Sequence, residues 1–285
     1  MMRSACTARA FHPARVVRAG LAAAILVMAA PAVAAPQRVV SINLCTDEMA
    51  MLIAAPGQLV SVSNLAADPV VSAMAEEARG YRLNSGLAEE VFLMKPDLVL
   101  AGSYTTRDTV NLLQRLGIAV AEFAPETGLA DVRDNLERMG ALLGQEARAE
   151  QIVADMDARL AALAAKPASN KTAALYFSNG YTSGADTLAG DIVAKAGLEN
   201  IGPGAGVDGL GRLPLERLIM AAPDVIIGGD GGYEAPALAD AVFAHPAFVR
   251  AAAAADYVPL ASSYTICGGP FNVDAVERLE DIGND

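Results

Sequence analysis

Residues 129–165, LADVRDNLERMGALLGQEARAEQIVADMDARLAALAA, decide how this chain is organised. Apolar side chains recur in it every three or four residues, which predicts helix; they are Val132, Leu136, Met139, Leu143, Ile152, Met156, Leu160 and Leu163. Gly144 divides the stretch, and residues 146–166 are predicted to form one helix that spans about 30 Å at a rise of 1.5 Å per residue. A helix of that length can join two lobes rigidly.

Short apolar or β-branched runs alternate with helical patterns on both sides of this helix. Such alternation predicts parallel sheets with crossover helices. The predicted strands are residues 38–42, 59–62, 97–101, 118–121, 172–177, 224–228 and 257–260. The expected fold class is therefore α/β, with two Rossmann-like lobes, residues 38–145 and 167–285, joined by the single long α-helix. The ligand cleft is expected between the lobes.

One sequence unit occurs in both lobes. Residues 87–102 and 214–229 each place a glutamate, Glu89 or Glu216, seven residues before a Pro-Asp pair that opens an apolar strand. The pattern predicts a short helix, a proline that stops it and a buried parallel strand. Matches this short also arise between unrelated helix–strand units.

Residues 1–34 are predicted to be a secretory signal peptide, because several arginines precede an apolar run that ends in small residues. The apolar run, Leu21 to Ala30, is shorter than the roughly 20 residues that span a bilayer. Cys6 lies in the basic region and not at the cleavage site, so no lipid attachment is expected. We expect a freely diffusing periplasmic monomer.

The charge of the chain excludes one class of partner. Its net charge is −12, and removal of the four leader arginines leaves 17 basic against 33 acidic residues, a net charge of −16. A strongly acidic protein is a poor ligand for nucleic acid. The hydrophobic content of 53% predicts a folded chain.

In their order, these features resemble the helical-backbone (class III) periplasmic solute-binding proteins of cobalamin and ferric-siderophore ABC importers. The resemblance rests on the opening strand, on Thr46-Asp47-Glu48 after it, on the two glutamate units, on Leu116-Gly117-Ile118 and on the long helix. It implies capture of a corrinoid (vitamin B12-like) or ferric siderophore and delivery to an inner-membrane permease dimer. No cofactor is implied, because any cobalt or iron belongs to the ligand.

The resemblance also implies that Glu89 and Glu216 dock onto arginines of the two permease subunits. Carboxylates are favoured at the starts of helices, and arginine can bind them through two hydrogen bonds. The alternative is that both glutamates only cap their helices.

Loops after the predicted strands supply the candidate ligand-binding residues, because ligands of open parallel sheets bind beyond the carboxyl ends of the strands. These residues are Asn43, Cys45, Tyr104, Tyr181, Arg212, Tyr264 and Cys267. A tyrosine offers a flat apolar face and a hydroxyl, which suits a large conjugated ligand. Arg212 is expected to meet anionic groups. Arg107 is a weaker candidate, since it can equally be a solvated residue in a first helical turn.

Cys45 and Cys267 are the two cysteines that remain after the leader, one in each lobe. An even number of cysteines in an oxidising compartment predicts a disulfide. The bond requires Cα atoms within about 7 Å of each other. Two buried thiols, or a thiolate pair that contacts the ligand or a soft metal, are the alternatives.

An exported enzyme on the same fold is the competing class of function. The sequence contains no Gly-x-Ser-x-Gly, no phosphate-binding loop and no His-Glu-x-x-His motif. His245 is the one histidine after the leader, and its position before Pro246 is typical of a helix start. We therefore predict a binding protein without catalytic residues. Haem or a bare metal ion remains an alternative ligand, although bare zinc or manganese usually requires several histidines and carboxylates.

Overall fold

The computed structural model describes residues 34–229 and 237–284. The predicted signal peptide therefore lies, except for Ala34, outside the described residues. No helix in the described ranges combines the length and apolar character needed to cross a membrane.

The first lobe contains a five-stranded, wholly parallel sheet. Its strands, β1 to β5 in chain order, are Val39–Ser41, Leu59–Ser63, Arg82–Asn84, Leu98–Gly102 and Ala119–Phe123. Their order across the sheet is β3-β2-β1-β4-β5. β1 and β4 are buried along their whole length, as expected for central strands covered by helices on both faces.

The second lobe repeats this plan with a smaller parallel sheet. Strands β6 to β11 are Thr172–Leu175, Tyr181–Ser183, Glu199–Asn200, Leu210–Arg212, Val225–Gly228 and Asp256–Pro259. Four of them form a parallel sheet in the order β11-β10-β6-β8, while β7 and β9 form a separate antiparallel pair. The predicted fold class, two α/β lobes with parallel sheets, is confirmed.

Helices cover both faces of each sheet. In the first lobe α1 to α5 are Leu44–Ile53, Ala75–Ala78, Ala88–Leu93, Arg107–Arg115 and Leu129–Leu143. The helix after them, α6, is Glu146–Ala164. In the second lobe α7 to α11 are Leu188–Lys195, Leu215–Ala221, Pro246–Ala254, Ser263–Ile266 and Phe271–Asn284.

The aspartates of the two Pro-Asp pairs make equivalent hydrogen bonds in the two lobes. The Asp97 carboxylate accepts hydrogen bonds from the backbone N–H groups of Gln37 (2.7 Å) and Arg38 (3.0 Å). The Asp224 carboxylate accepts from the N–H and hydroxyl of Thr172, both at 2.8 Å. Each aspartate thus fixes the start of the first strand of its lobe to the central strand that follows the Pro-Asp pair. The sequence repeat is therefore a structural repeat.

Gly144 separates α5 from α6, as the sequence predicted. Its φ of +65° lies in the left-handed region that favours glycine, and an added Cβ would come within 2.7 Å of the Ala35 Cβ. α6 then runs for 19 residues along α5. Arg159 of α6 forms ion pairs with Asp274 and Glu277 of α11, which fasten α6 to the second lobe.

The apolar core continues from one lobe into the other. One cluster of buried side chains includes Leu136 and Met139 of α5, Ile192 of α7 and Val276 of α11, all with no exposed surface. The lobes therefore share a packed interface, which resists large relative motion because packed cores deform little.

Two adjacent carboxyl groups are buried in α1. Asp47 accepts hydrogen bonds from the N–H and hydroxyl of Ser63, and Glu48 accepts from the hydroxyl of Ser72 and the N–H of Ala73. Among the described residues, one oxygen of each carboxyl group has no hydrogen-bond partner. Burial raises the pKa of Asp47 to about 6 and that of Glu48 to about 7.

Candidate ligand-binding site

The strand orders place a ligand cleft at the carboxyl edges of the two sheets. Chain connections diverge to opposite sides of the sheet at β1 and β4, and again at β6 and β10. Such a switch point opens a crevice beyond the carboxyl ends of the two strands. The loops after β1, β4 and β6 carry Asn43, Tyr104 and the segment that leads to Tyr181.

Tyr181 and Arg212 are brought together by the antiparallel pair β7 and β9. They are directly opposite residues in the register of these strands. The guanidinium carbon of Arg212 lies 5.0 Å from the centroid of the Tyr181 ring, within the range of a cation–π interaction. Tyr181 is 49% exposed, so an aromatic ring with a cation over its face lies on an accessible surface.

A cavity of about 400 Å³ adjoins Arg212. Tyr176, Asn179, Leu213 and Leu238 contribute to its lining. Tyr176 itself is buried, and desolvation raises the pKa of its hydroxyl. The sequence placed Tyr176 inside a predicted strand and did not single it out, because a tyrosine in an apolar run is typical of the core.

The remaining predicted aromatic residues differ in accessibility. Tyr104 follows β4 and is 88% exposed. Tyr264 is half-buried against the core, and its carbonyl oxygen accepts a hydrogen bond from the side chain of Asn272 at 2.8 Å. Arg107 forms an ion pair with Glu122 at 2.6 Å, so its charge is already compensated.

Asn43 has a defined structural task. Its side-chain oxygen accepts from the N–H of Cys45 at 3.1 Å and so caps α1. The same side chain packs against Gly102, where an added Cβ would come within 2.7 Å of the Asn43 amide nitrogen. Its contact with a ligand stays a prediction.

Cys45 and Cys267 form a disulfide between the two lobes, with their Cα atoms 4.9 Å apart. The predicted pairing is confirmed. Cys267 was also predicted to contact the ligand, but its side chain is fully buried and its sulfur is bonded to that of Cys45. Neither residue is a thiolate, and Cys45, which is half-buried, is the only one of the two with a surface that a ligand can reach.

Two further contacts join the lobes, and the sequence did not reveal them. The Asp191 carboxylate of α7 accepts from the N–H of Leu129 at 2.8 Å, so a residue of the second lobe caps α5 of the first. Glu126 is buried against Gly268 and accepts from the side chain of Asn135 at 2.7 Å. Burial raises the pKa of Glu126. No local pattern marks such long-range pairs.

Glu89 and Glu216 are exposed in the first turns of α3 and α8. The N–H of Ser85, ahead of α3, donates to Glu90 at 2.8 Å and not to Glu89. Within the described ranges, neither Glu89 nor Glu216 forms a side-chain hydrogen bond or an ion pair. Both carboxylates are therefore available to a partner.

His245 caps α9, as its position before Pro246 predicted. Its Nδ1 accepts from the N–H of Ala247 at 3.2 Å. In the part of the chain that the structure describes, no three His, Cys, Asp or Glu side chains converge as metal ligands.

The fold and the cleft define a two-lobe α/β ligand-binding protein. The sequence profile of the periplasmic binding protein family matches residues 39–258, and the chain belongs to that family. The relative and the solved neighbours described below are binding proteins. A cobalamin-binding protein of Halobacterium salinarum is 27% identical over 220 residues, which are 75% of this chain and 60% of the relative. The chain thus spans less than two thirds of that relative.

Solved structures share the fold at lower sequence identity. A periplasmic binding protein from Veillonella parvula superposes with a TM-score of 0.73 at 21% identity, covering 89% of this chain and 93% of that one. A periplasmic heme-binding protein from Pseudomonas aeruginosa gives 0.71 at 21% identity, with 87% and 92% covered. The periplasmic vitamin B12-binding protein of Vibrio cholerae gives 0.66 at 18% identity, with 87% and 97% covered.

Proposed function

We propose that this protein is the periplasmic substrate-binding component of an ABC importer, with a corrinoid or a ferric siderophore as its ligand. The observation that carries the proposal is the Tyr181 ring beside the Arg212 cation at the edge of a cavity. The exposed ring of Tyr104 lies at the equivalent edge of the first lobe. Flat apolar surfaces with a few polar groups suit a large conjugated ligand.

The charge of the cleft favours a corrinoid over a triply anionic siderophore complex. Of the two arginines that the sequence singled out, Arg107 is paired with Glu122, and Arg212 lies over the Tyr181 ring with its charge available. A multiply charged anion is bound best by several cations. The relative from Halobacterium salinarum, which is described as a cobalamin-binding protein, supports the same assignment.

Equilibrium dialysis against cobalamin, cobinamide, haem and a panel of ferric siderophores tests the proposal, with the bound ligand measured by its own absorbance. We expect saturable submicromolar binding of one class, with affinity lowered at least about tenfold by Tyr181→Ala or Arg212→Ala. Tyr81→Ala is the control, because Tyr81 is half-buried at the amino end of β3, away from the cleft. Failure of cobalamin, cobinamide and the siderophores to bind would refute the choice of ligand, whether or not haem binds.

We further propose that the first 34 residues are a signal peptide and that the exported protein diffuses freely in the periplasm. The leader pattern supports this assignment. Osmotic release of the periplasm followed by mass spectrometry of the intact protein measures both points. A mature protein that begins at Ala35 without lipid is expected, and retention of the leader in the released protein would contradict the assignment.

Docking of Glu89 and Glu216 onto a permease dimer is part of the same proposal. Exposed carboxylates steer association with a cationic partner and affect its rate more than its final affinity. The double variant Glu89→Gln/Glu216→Gln should therefore slow association with the importer and weaken its dependence on salt. An association rate equal to that of the unmodified protein would contradict this role.

A further inference from the structure

The two proposed docking glutamates lie in the first turns of α3 and α8. Both helices also carry an exposed apolar side chain at a matching position. On α3, Leu93 is 76% exposed, four residues after Glu89. On α8, Met220 is 84% exposed, four residues after Glu216. Each glutamate is thus followed at the same distance by a large apolar side chain in contact with solvent.

Helical geometry makes each pair one continuous surface. Residues four apart on a helix lie on the same face, with Cβ atoms about 6 Å apart. We name Glu89 with Leu93, and Glu216 with Met220, the two paired contacts. One lies on each lobe, so the molecule presents the same combination of a carboxylate and an apolar side chain twice.

Packing within the protein does not account for these positions. Val91 of α3 and Leu218 of α8 are fully buried and supply the packing of their helices onto the sheets. Leu93 and Met220 point away from these buried positions and leave most of their surface to solvent. A single exposed apolar residue needs no explanation, but two at equivalent positions beside two available carboxylates indicate a shared use.

The lobe that carries the second paired contact also has a groove between α8 and α9. The groove has a volume of about 320 Å³, and Ile219, Ala222 and Ala251 contribute to its apolar lining, with Arg250 as its charged member. Ile219, which is next to Met220 in sequence, thus borders an apolar groove. Such a groove can receive an apolar side chain from a partner.

We propose that the paired contacts bind two equivalent subunits, each of which presents a cation next to an apolar socket. This inference rests on the proposed function and identifies the occupant as the permease dimer of the importer. The glutamates steer the approach, and burial of Leu93 and Met220 slows dissociation, because burial of apolar surface supplies affinity without direction. A second copy of this chain is a poorer fit, since it would bring acidic surface against acidic surface.

Surface plasmon resonance on the corrinoid importer of the source organism, held in lipid nanodiscs, separates these roles. The binding partner in solution is the protein recovered from the periplasm. Leu93→Ser and Met220→Ser should each increase the dissociation rate about tenfold, with the association rate and its salt dependence unchanged. Glu89→Gln and Glu216→Gln should act mainly on association.

Leu116→Ser is the matched control, because Leu116 is 46% exposed after α4, just before β5 begins, outside both paired contacts. An equal effect of Leu116→Ser would overturn the inference. If the Leu93→Ser/Met220→Ser double variant dissociates at the unchanged rate while the glutamate variants associate slowly, the role of the apolar side chains is refuted and docking through the glutamates still stands. No effect of any variant would also overturn docking through the glutamates. Dimerisation in solution that Leu93→Ser abolishes would assign the surface to a second copy instead.

Discussion

Removal of the disulfide between the lobes should destabilise the protein strongly. Cys45 and Cys267 are separated by 222 residues in sequence, so the bond closes a very large loop in the unfolded chain. Loop-closure entropy for that separation corresponds to about 5 kcal/mol, and loss of a native disulfide commonly costs about 2–5 kcal/mol. For a protein of this size, a loss of about 4 kcal/mol lowers the melting temperature by roughly 10 °C.

Cys45→Ala is the most informative variant. It removes the bond at the half-buried residue, and the Cys267 thiol that remains is fully buried and packs as a small apolar side chain. Calorimetry of Cys45→Ala, of Cys267→Ala and of the double variant measures the loss. Because either substitution breaks the same bond, the double variant should be little less stable than each single one.

Two results would refute this reasoning. One is a melting temperature of Cys45→Ala within about 2 °C of the unmodified protein. The other is a loss in the double variant equal to the sum of the two single losses, which would mean that packing and not the bond supplies the stability. A thiol assay on unreduced, denatured protein should find no free sulfhydryl from Cys45 or Cys267.

Other parts of the fold give further expectations. Glu48→Gln should stabilise the protein by about 2 kcal/mol at about pH 8. The raised pKa of Glu48 makes folding most favourable below about pH 4, and this stability is lost as pH rises through about 7. Thermal unfolding of the variant across this range should depend less on pH, and an unchanged slope would contradict burial of this charge as the cause. Asp191→Ala should cost about 1 kcal/mol in denaturant unfolding, since it removes the cap of α5, whereas Asp191→Asn keeps an acceptor oxygen and should lose less; equal losses would argue against capping. Gly144→Ala should cost at least about 1 kcal/mol in the same assay because of its positive φ and the close approach of Ala35, and a neutral result would contradict the strain. Solution scattering should show a change of less than about 1 Å in the radius of gyration on ligand binding, and a large decrease would contradict the rigid connection.

Local periodicity was sufficient to predict the central elements. All seven predicted strands are present, with ends that differ by one or two residues, and the α5–α6 division falls at Gly144. These elements have long apolar runs or a sustained helical spacing, which burial on both faces of a sheet or on one face of a helix imposes.

The four strands that the sequence did not predict lack such a pattern of apolar residues. β3, β7, β8 and β9 are two or three residues long, and most of their residues are exposed or half-buried. Backbone pairing to a neighbouring strand creates them, and pairing leaves little trace in the order of apolar and polar residues. The contact between Tyr181 and Arg212 depends on the register of β7 and β9. Both residues could therefore be predicted as candidates from the sequence, but their contact could not.

Only some of the contacts that join the lobes could be predicted from the sequence, because the residue types differ in how many partners they allow. Two cysteines after the predicted leader allow a single pairing. An oxidising compartment, as the leader predicts, was therefore enough to predict a disulfide between residues 222 apart in sequence. An aspartate has many possible partners, and nothing in the sequence distinguishes Asp191, which caps α5 from the other lobe, from other acidic residues on helices. The disulfide, this cap and the continuous core act together, because each would have to break or deform if the lobes separated. Several contacts thus set the distance between the two lobes, and we expect ligand capture to require only the small adjustment that these contacts permit.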